Sequence, residues 1–250
     1  MSEDNNLQKR VYEAYNKHAD RIVEDGYRFN PVYIASKALS DWLLLTSVDL
    51  RGKRVLDIGC AEPIDEMQFI EKVSSWVALD INEKIIKTAE GIARRNLHPS
   101  LFNKLQFVQD DATSMKFADS SFDIVVSFSV IEHIPEPEAR QKVFSEISRV
   151  LKPDGVAVVT VPNKISMFYF AHRRNMRLGI SDYGYAHLYT RGELKKSFLA
   201  AGLEPVVFAS EYSGLMSLPS RLPRPIAIFL SLFQRFGERI GYLAKKAAKP

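Results

Sequence analysis

The chain has 250 residues, a hydrophobic content of 46% and a charged content of 26%, which is ordinary for a soluble globular protein. Its single cysteine excludes an internal disulfide, and its polar first residues lack the pattern of a secretory signal. No apolar run is long enough to span a bilayer, so we expect a cytoplasmic protein.

The net charge of +4 is unevenly distributed along the chain. Residues 215–250 carry seven basic side chains and one acid, a net charge of +6, which leaves the remaining residues at −2. The basic character therefore belongs to the C-terminal segment. A groove for nucleic acid across the main body is not expected.

The first 50 residues predict a helical cap, with helices over 7–25 and 31–47. From residue 51 to about 213, short apolar runs rich in Val and Ile alternate with segments of helical periodicity. The runs are 54–59, 76–80, 105–111, 122–128, 156–162 and 204–210. This alternation predicts one α/β domain, a doubly wound parallel sheet with helices on both faces. A turn over 152–155 is expected to separate the helix that carries Ala139, Val143, Ile147 and Val150 from the fifth strand.

Residues 214–250 predict an irregular stretch and then a basic amphipathic segment beginning near Pro225. One interpretation is that this segment lies on an anionic membrane surface, which would make the protein peripherally membrane-associated. In the other, it covers the site and residues 241–248 complete the sheet. The pattern leaves open whether 241–248 is a strand or a helix.

The stretch VLDIGCAEP, residues 55–63, lies where a doubly wound sheet binds its ligand. A dinucleotide site needs several glycines here, and only Gly59 is present, so an NAD-type cofactor is disfavoured. Asp80 ends the second apolar run, where an acid can accept both hydroxyls of a ribose. Asp111 follows the third run, where a carboxylate can contact an adenine amino group. These features describe a nucleoside without a pyrophosphate, such as S-adenosylmethionine (SAM).

Four stretches together resemble the successive motifs of class I SAM-dependent methyltransferases over about residues 50–210. They are VLDIGC, VALDIN, QDDATSMKFADSSFDIVVSFSVIEHI and RVLKPDGVAVVTVPN. The chain is similar to the group acting on small molecules and lipids, including ubiquinone-biosynthesis O-methyltransferases, which share Arg-x-Asn-Pro, here 28–31, and a Glu-His pair. The resemblance implies a Rossmann-like seven-stranded sheet of order 3-2-1-4-5-7-6, mostly parallel, with an antiparallel last strand.

The resemblance also implies which residues bind the cofactor. They are Asp57 and Gly59 beside the methionine part, Asp80 at the ribose, Asp111 and Ala112 at the adenine, Ser127 and Phe128 along the floor, and Ala61 and Ile81 as further contacts. The chain departs from the family where Ala61 and Pro63 replace two glycines. Ala61 fits if its φ is negative, and Pro63 can open the next helix. Asp110 is expected to be a solvated turn residue.

Methyl transfer to an oxygen needs a general base, and histidine suits that role near neutral pH. His133, next to Glu132 after the fourth strand, is the first candidate, and His187 is the second. The alternative is that Glu132 and His133 only cap the helix that follows. Some relatives carry Glu-x-x-Glu-His and use a divalent metal. Ser129 occupies the first position here, so no metal is expected.

The segment 164–189 is rich in aromatic and basic residues and is expected to form a substrate lid. Its candidate substrate contacts are Tyr169, Arg173 and Tyr185, which suit an apolar acceptor with an anionic or phenolic group. The alternative is a solvated helix that packs its aromatic residues on the core.

The function expected from the sequence is SAM-dependent methyl transfer to a small-molecule or lipid-like acceptor, at oxygen. The alternatives are a non-catalytic SAM-binding regulator and an NAD-dependent oxidoreductase.

Overall fold

The computed structural model describes residues 3–24, 41–166, 185–211 and 239–247, with the single positions 170, 174 and 178. A seven-stranded sheet of order β3-β2-β1-β4-β5-β7-β6 forms its centre, and β7 is antiparallel to both neighbours. The strands are β1 (Arg54–Ile58), β2 (Ser75–Asp80), β3 (Leu105–Gln109), β4 (Phe122–Phe128), β5 (Leu151–Pro162), β6 (Leu203–Glu211) and β7 (Arg239–Lys246). The predicted fold class and strand order are confirmed.

Helices cover both faces of this sheet, as the alternating pattern predicted. Those in the described ranges are α1 (Glu3–Glu24), α2 (Asp41–Leu45), α3 (Ile64–Phe69), α4 (Glu83–Asn96), α5 (Pro99–Phe102), α6 (Pro137–Val150) and α7 (Arg191–Ala200). A short 3₁₀ helix, Ile131–His133, follows β4. The predicted capping box of α7 is present, because Thr190 accepts from the Glu193 amide and the Glu193 carboxylate accepts from the Thr190 amide.

The core has two layers because both faces of the central strands are buried. On one face, α6 and α7 pack Phe144, Ile147 and Phe198 against the strands. On the other, α2 and α3 contribute Leu44 and Phe69 to a cluster that includes strand residues from β1, β2 and β4. Successive strand residues point to opposite faces, so the continuous apolar runs seen in the sequence supply both layers.

The expected turn over 152–155 lies inside β5, not between α6 and the strand. Helix α6 ends at Val150, and Leu151 already pairs with Phe122 of β4. The register then shifts before Val156 pairs with Ile124. A β-bulge absorbs the turn in this way, and the positive φ of Asp154 at 63° belongs to it.

Residues 239–246 form a strand, which resolves the alternative left open for the C-terminal segment. β7 lies between β5 and β6 and is not an edge strand. Its Ile240, Tyr242, Leu243 and Ala244 are buried. Gly241 meets Thr160 so closely that an added Cβ would lie 2.6 Å from the Thr160 Cγ2 atom.

Several predictions from the sequence lie outside the described residues. They concern most of the second N-terminal helix, the Arg-x-Asn-Pro stretch at 28–31, the larger part of the 164–189 segment and the amphipathic stretch up to 238. Within the described ranges, none of the helices combines the length and hydropathy needed to cross a membrane.

The position of β7 predicts the result of truncation. Removing residues 239–250 should abolish cooperative unfolding and leave aggregated protein, because the loss separates β5 from β6 and exposes four buried side chains. The free energy lost by this truncation exceeds the stability of a typical domain, which is about 5–15 kcal/mol. A control chain ending at Ala247 keeps β7 whole and should unfold like the full chain. Circular dichroism during heating is the measurement, and a folded 1–238 chain would contradict the assignment.

Candidate functional site

A cavity of about 890 Å³ lies at the edge of the sheet where the parallel strands end. The ends of β1, β2, β4 and β5 line it, together with the loop after β3. Helix α1, the 3₁₀ helix after β4 and Arg239 of β7 also contribute to the lining. The volume is within the range of about 300–1,000 Å³ typical of small-molecule sites, and the position agrees with the rule for open α/β sheets.

The loop after β1 keeps a left-handed backbone although it has lost two glycines. Gly59 has φ 76°, and an added Cβ would lie 2.4 Å from both methyl carbons of Val130, so only glycine fits there. Ala61 has φ 44°, which contradicts the negative φ on which its fit was conditional. A non-glycine residue in this region costs about 1 kcal/mol. Pro63 lies one residue before helix α3, at its N-cap.

Asp80 connects this loop to the end of β2. Its side chain is buried, with the residue 9% exposed, and accepts from the backbone amides of Asn82, Ala61 and Ile81. Burial raises the pKa of Asp80 to about 6 despite these hydrogen bonds. Asn82 in turn caps α4 by accepting from the Lys84 and Ile85 amides. The carboxylate is therefore held in one orientation at the cavity wall.

The two acids after β3 have different roles, and the expected exposure of Asp110 is wrong. Asp110 is buried because its two oxygens accept from the Asp111 and Lys116 amides and close the loop. Asp111 is half-buried, and its Oδ1 accepts from the amide and the hydroxyl of Thr113. Its Oδ2 is the oxygen left to contact a ligand. Both residues and Ala112 line the cavity.

Glu132 and His133 lie together on the 3₁₀ helix after β4, and both line the cavity. The His133 Nδ1 atom is 2.7 Å from the Tyr185 carbonyl oxygen, which can only accept, so Nδ1 carries the proton. In the neutral ring, Nε2 is then the nitrogen without a proton. It lies 4.0 Å from Glu132 Oε1. Tyr185, a predicted substrate residue, thus orients His133 through its backbone.

Helix α1 forms part of the cavity wall, which the sequence analysis missed. Tyr12, Tyr15 and His18 line the cavity, and their spacing of three residues puts them on one helix face. The Tyr15 and His133 ring centroids are 5.7 Å apart in an edge-to-face contact. His18 Nε2 lies 2.8 Å from Glu62 Oε1 in the loop after β1. The spacing of Tyr12, Tyr15 and His18 in the sequence could have indicated that this face of the helix lines a site.

Arg239, the first residue of β7, is the second cavity residue that was missed. Its Nη1 donates to Oδ2 of the fully buried Asp41 at 3.2 Å. The Thr160 hydroxyl donates to the other oxygen of Asp41 at 2.8 Å. No local signal identifies Arg239, because its place depends on the pairing of β7 with the end of β5.

The structure does not bring all predicted residues to the cavity wall. Gly59, Ala61, Ile81 and Phe128 line it, whereas Asp57 and Ser127 are buried outside the lining. His187 is also outside it, with Nε2 2.6 Å from Glu193 Oε1 in the capping box of α7. Tyr169 and Arg173 lie outside the described residues. No group of three or more metal-binding side chains occurs in the part of the chain that the structure describes.

Comparison with known proteins agrees with this geometry. Residues 56–159 match the family model of a methyltransferase domain. Their range runs from β1 to β5 and includes the strand ends that form the cavity.

The chain is also similar to curated proteins and solved structures. A sterol 24-C-methyltransferase of Gibberella zeae is 38% identical over 106 residues, which cover 42% of this chain and 26% of that protein. The chain thus spans about a quarter of that relative's length. A ubiquinone biosynthesis O-methyltransferase of Bordetella avium is 25% identical over 205 residues, covering 80% of this chain and 82% of the relative.

A similar fold occurs in the solved structure of a putative methyltransferase from Bacillus halodurans. The TM-score is 0.63 at 22% sequence identity, with coverage of 83% of this chain and 98% of the other. At this identity, the similarity concerns the fold alone.

The raised pKa of Asp80 predicts a pH-dependent cost to stability. The folded protein holds this proton to about pH 6 and the unfolded chain to about 3.8, so stability falls as pH rises between these values. In Asp80→Asn this loss is absent. The unfolding free energy of the variant relative to wild type should therefore increase by about 2–3 kcal/mol from pH 4 to pH 7. Urea titrations at both pH values measure it, and a pH-independent difference would contradict the assignment.

Proposed function

We propose that the chain is a SAM-dependent methyltransferase that transfers a methyl group to oxygen of a small, largely apolar acceptor. The observation that carries this proposal is the shared cavity, which is lined both by the acids at the ends of β2 and β3 and by Glu132 and His133. A cofactor and an acceptor can thus meet in one cavity.

The residues present fit SAM. Asp80 offers a fixed carboxylate to the ribose hydroxyls, and Asp111 offers one oxygen to the adenine amino group. The buried hydroxyl of Ser129, which also lines the cavity, has no hydrogen-bond partner among the described residues. A buried polar group of this kind is costly unless a ligand satisfies it.

When bound, SAM supplies an electrophilic methyl group on a sulfonium sulfur. The chain's own contribution is to position the acceptor and remove its proton. His133 is the group suited to accept that proton at Nε2, because the Tyr185 carbonyl holds its proton at Nδ1. Helix α1 closes the cavity on the side of Tyr12 and Tyr15, which limits water at the reacting atoms.

Replacement of the two candidate histidines tests this mechanism. His133→Ala should lower turnover by about 10²–10⁴-fold and leave SAM affinity unchanged, because a general base acts on the acceptor alone. His187→Ala should keep most of the turnover, since His187 contacts the capping box outside the cavity. S-adenosylhomocysteine formation with alkylphenol acceptors is the readout, and calorimetry gives the SAM affinity. Full activity in His133→Ala would remove it as the base, and no product in wild type would favour a non-catalytic SAM-binding protein.

A further inference from the structure

Helix α1 lines the cavity over more than two turns, from Lys9 to His18. Near the C-terminal end of this stretch, Asn16 accepts from Nδ2 of Asn82, just after β2, at 3.0 Å. Toward its N-terminus the helix extends away from that contact by about 1.5 Å for each residue, so Lys9 lies about 10 Å further along the axis. The proposed function leaves this N-terminal part of the cavity wall without a role.

Tyr12 is an exposed aromatic side chain in this part of the wall. The residue is 41% exposed and lines the cavity. Within the described ranges, no hydrogen bond, ion pair or ring contact involves Tyr12, whereas Tyr15, one turn further, packs edge-to-face on His133. A ring of this kind in a cavity wall offers a flat surface on which a second ring can pack.

Lys9 brings a positive charge to the same helix face. It precedes Tyr12 by three residues, a spacing that makes the two side chains neighbours, and it also lines the cavity. The Lys9 side chain is 71% exposed, and its partner among the described residues is Glu13, also exposed, at 3.8 Å. An exposed ion pair at this spacing contributes little to stability. The Lys9 ammonium can therefore pair with an anionic group that enters the cavity.

The rest of the lining would orient a charged acceptor. Asp80, Asp110 and Asp111 line the cavity near the ends of β2 and β3, and they would repel an anionic group. Residues beyond β4 add apolar surface, namely Val130, Ile134, Ala139, Pro162 and Ala186. An acceptor with an apolar body and one negative charge would thus be held with that charge toward Lys9.

We propose that Tyr12 and Lys9 recognise the methyl acceptor, and that this acceptor is a planar aromatic compound with an anionic group. This inference rests on the proposed function and names its acceptor class. The acceptor ring packs on the Tyr12 ring, and its anionic group pairs with the Lys9 ammonium. Tyr12 lies about 4.5 Å along α1 from Tyr15, whose ring meets that of His133, so a hydroxyl on the far side of the acceptor ring can reach the 3₁₀ helix.

The first arm of the test concerns the ring. Titration calorimetry of the S-adenosylhomocysteine complex compares 4-propylphenol with 4-propylcyclohexanol, which has the same substituents on a puckered ring. Tyr12→Leu should weaken binding of the phenol by about 2–10-fold and change that of the cyclohexanol less, because only the flat ring stacks. Tyr12→Phe keeps the ring and should bind like wild type. An unchanged preference in Tyr12→Leu, or an equal loss in Tyr12→Phe, would overturn the role of the ring.

The second arm concerns the charge and uses 3-(4-hydroxyphenyl)propanoate beside 4-propylphenol. Lys9→Gln should weaken binding of the carboxylate by about 2–5-fold and leave that of the alkylphenol unchanged. Added salt should reduce the carboxylate's advantage in wild type. Lys17→Gln is the matched control, since Lys17 is an exposed lysine of α1 outside the cavity lining. An equal effect of Lys17→Gln, or no advantage of the carboxylate in wild type, would overturn the role of Lys9.

Two further measurements separate this inference from the proposed function and from loss of structure. Tyr12 and Lys9 are exposed, so the unfolding midpoints of their variants should match that of wild type. If wild type binds SAM and S-adenosylhomocysteine but none of the aromatic probes, the acceptor class is wrong while the cofactor assignment stands. Absence of SAM binding would overturn the proposed function and this inference together.

Discussion

The carboxylate of Asp80 connects the sheet to the site. It accepts from three backbone amides, one of them in the loop after β1 and two directly after β2. The Leu79 carbonyl adds two hydrogen bonds from Gly59 and Cys60, at 2.7 and 3.1 Å. These contacts fold the glycine-poor loop against the end of β2. The loop therefore keeps its ligand-binding shape because β2 holds it, and Ala61 is forced to a positive φ in consequence.

The site is built at the expense of stability. Asp80 and Glu132 are both buried acids with raised pKa values, and the described contacts do not fully compensate their burial. Both residues line the cavity. Perturbed acids in one cleft are typical of functional sites. A ligand that hydrogen-bonds to these acids should therefore stabilise the folded protein by more than its buried contact area alone would give.

Local patterns predicted the parallel strands, whereas the strand order and the antiparallel last strand followed only from the family resemblance. Apolar runs such as that of β4 need burial on both faces, and only a parallel sheet with helices on each side provides this. The strand-end acids were also predictable, since Asp80 must end a buried strand. The role of α1 was not, because Tyr15 meets His133 only through tertiary packing. Arg239 was missed for the same reason. Because position 61 is an alanine and not a glycine, the sequence also gave no sign of the left-handed backbone that the contacts with β2 impose there.

The central claim is that the cavity binds SAM with Asp80 at the ribose. Titration calorimetry of SAM into the wild-type chain and into Asp80→Ala tests it most directly, with NADH titrated in parallel. The account predicts one SAM site in wild type, an affinity weakened by about 1.5–3 kcal/mol in the variant, and no competing site for NADH. An unchanged SAM affinity in Asp80→Ala, or binding of NADH in place of SAM, would contradict it.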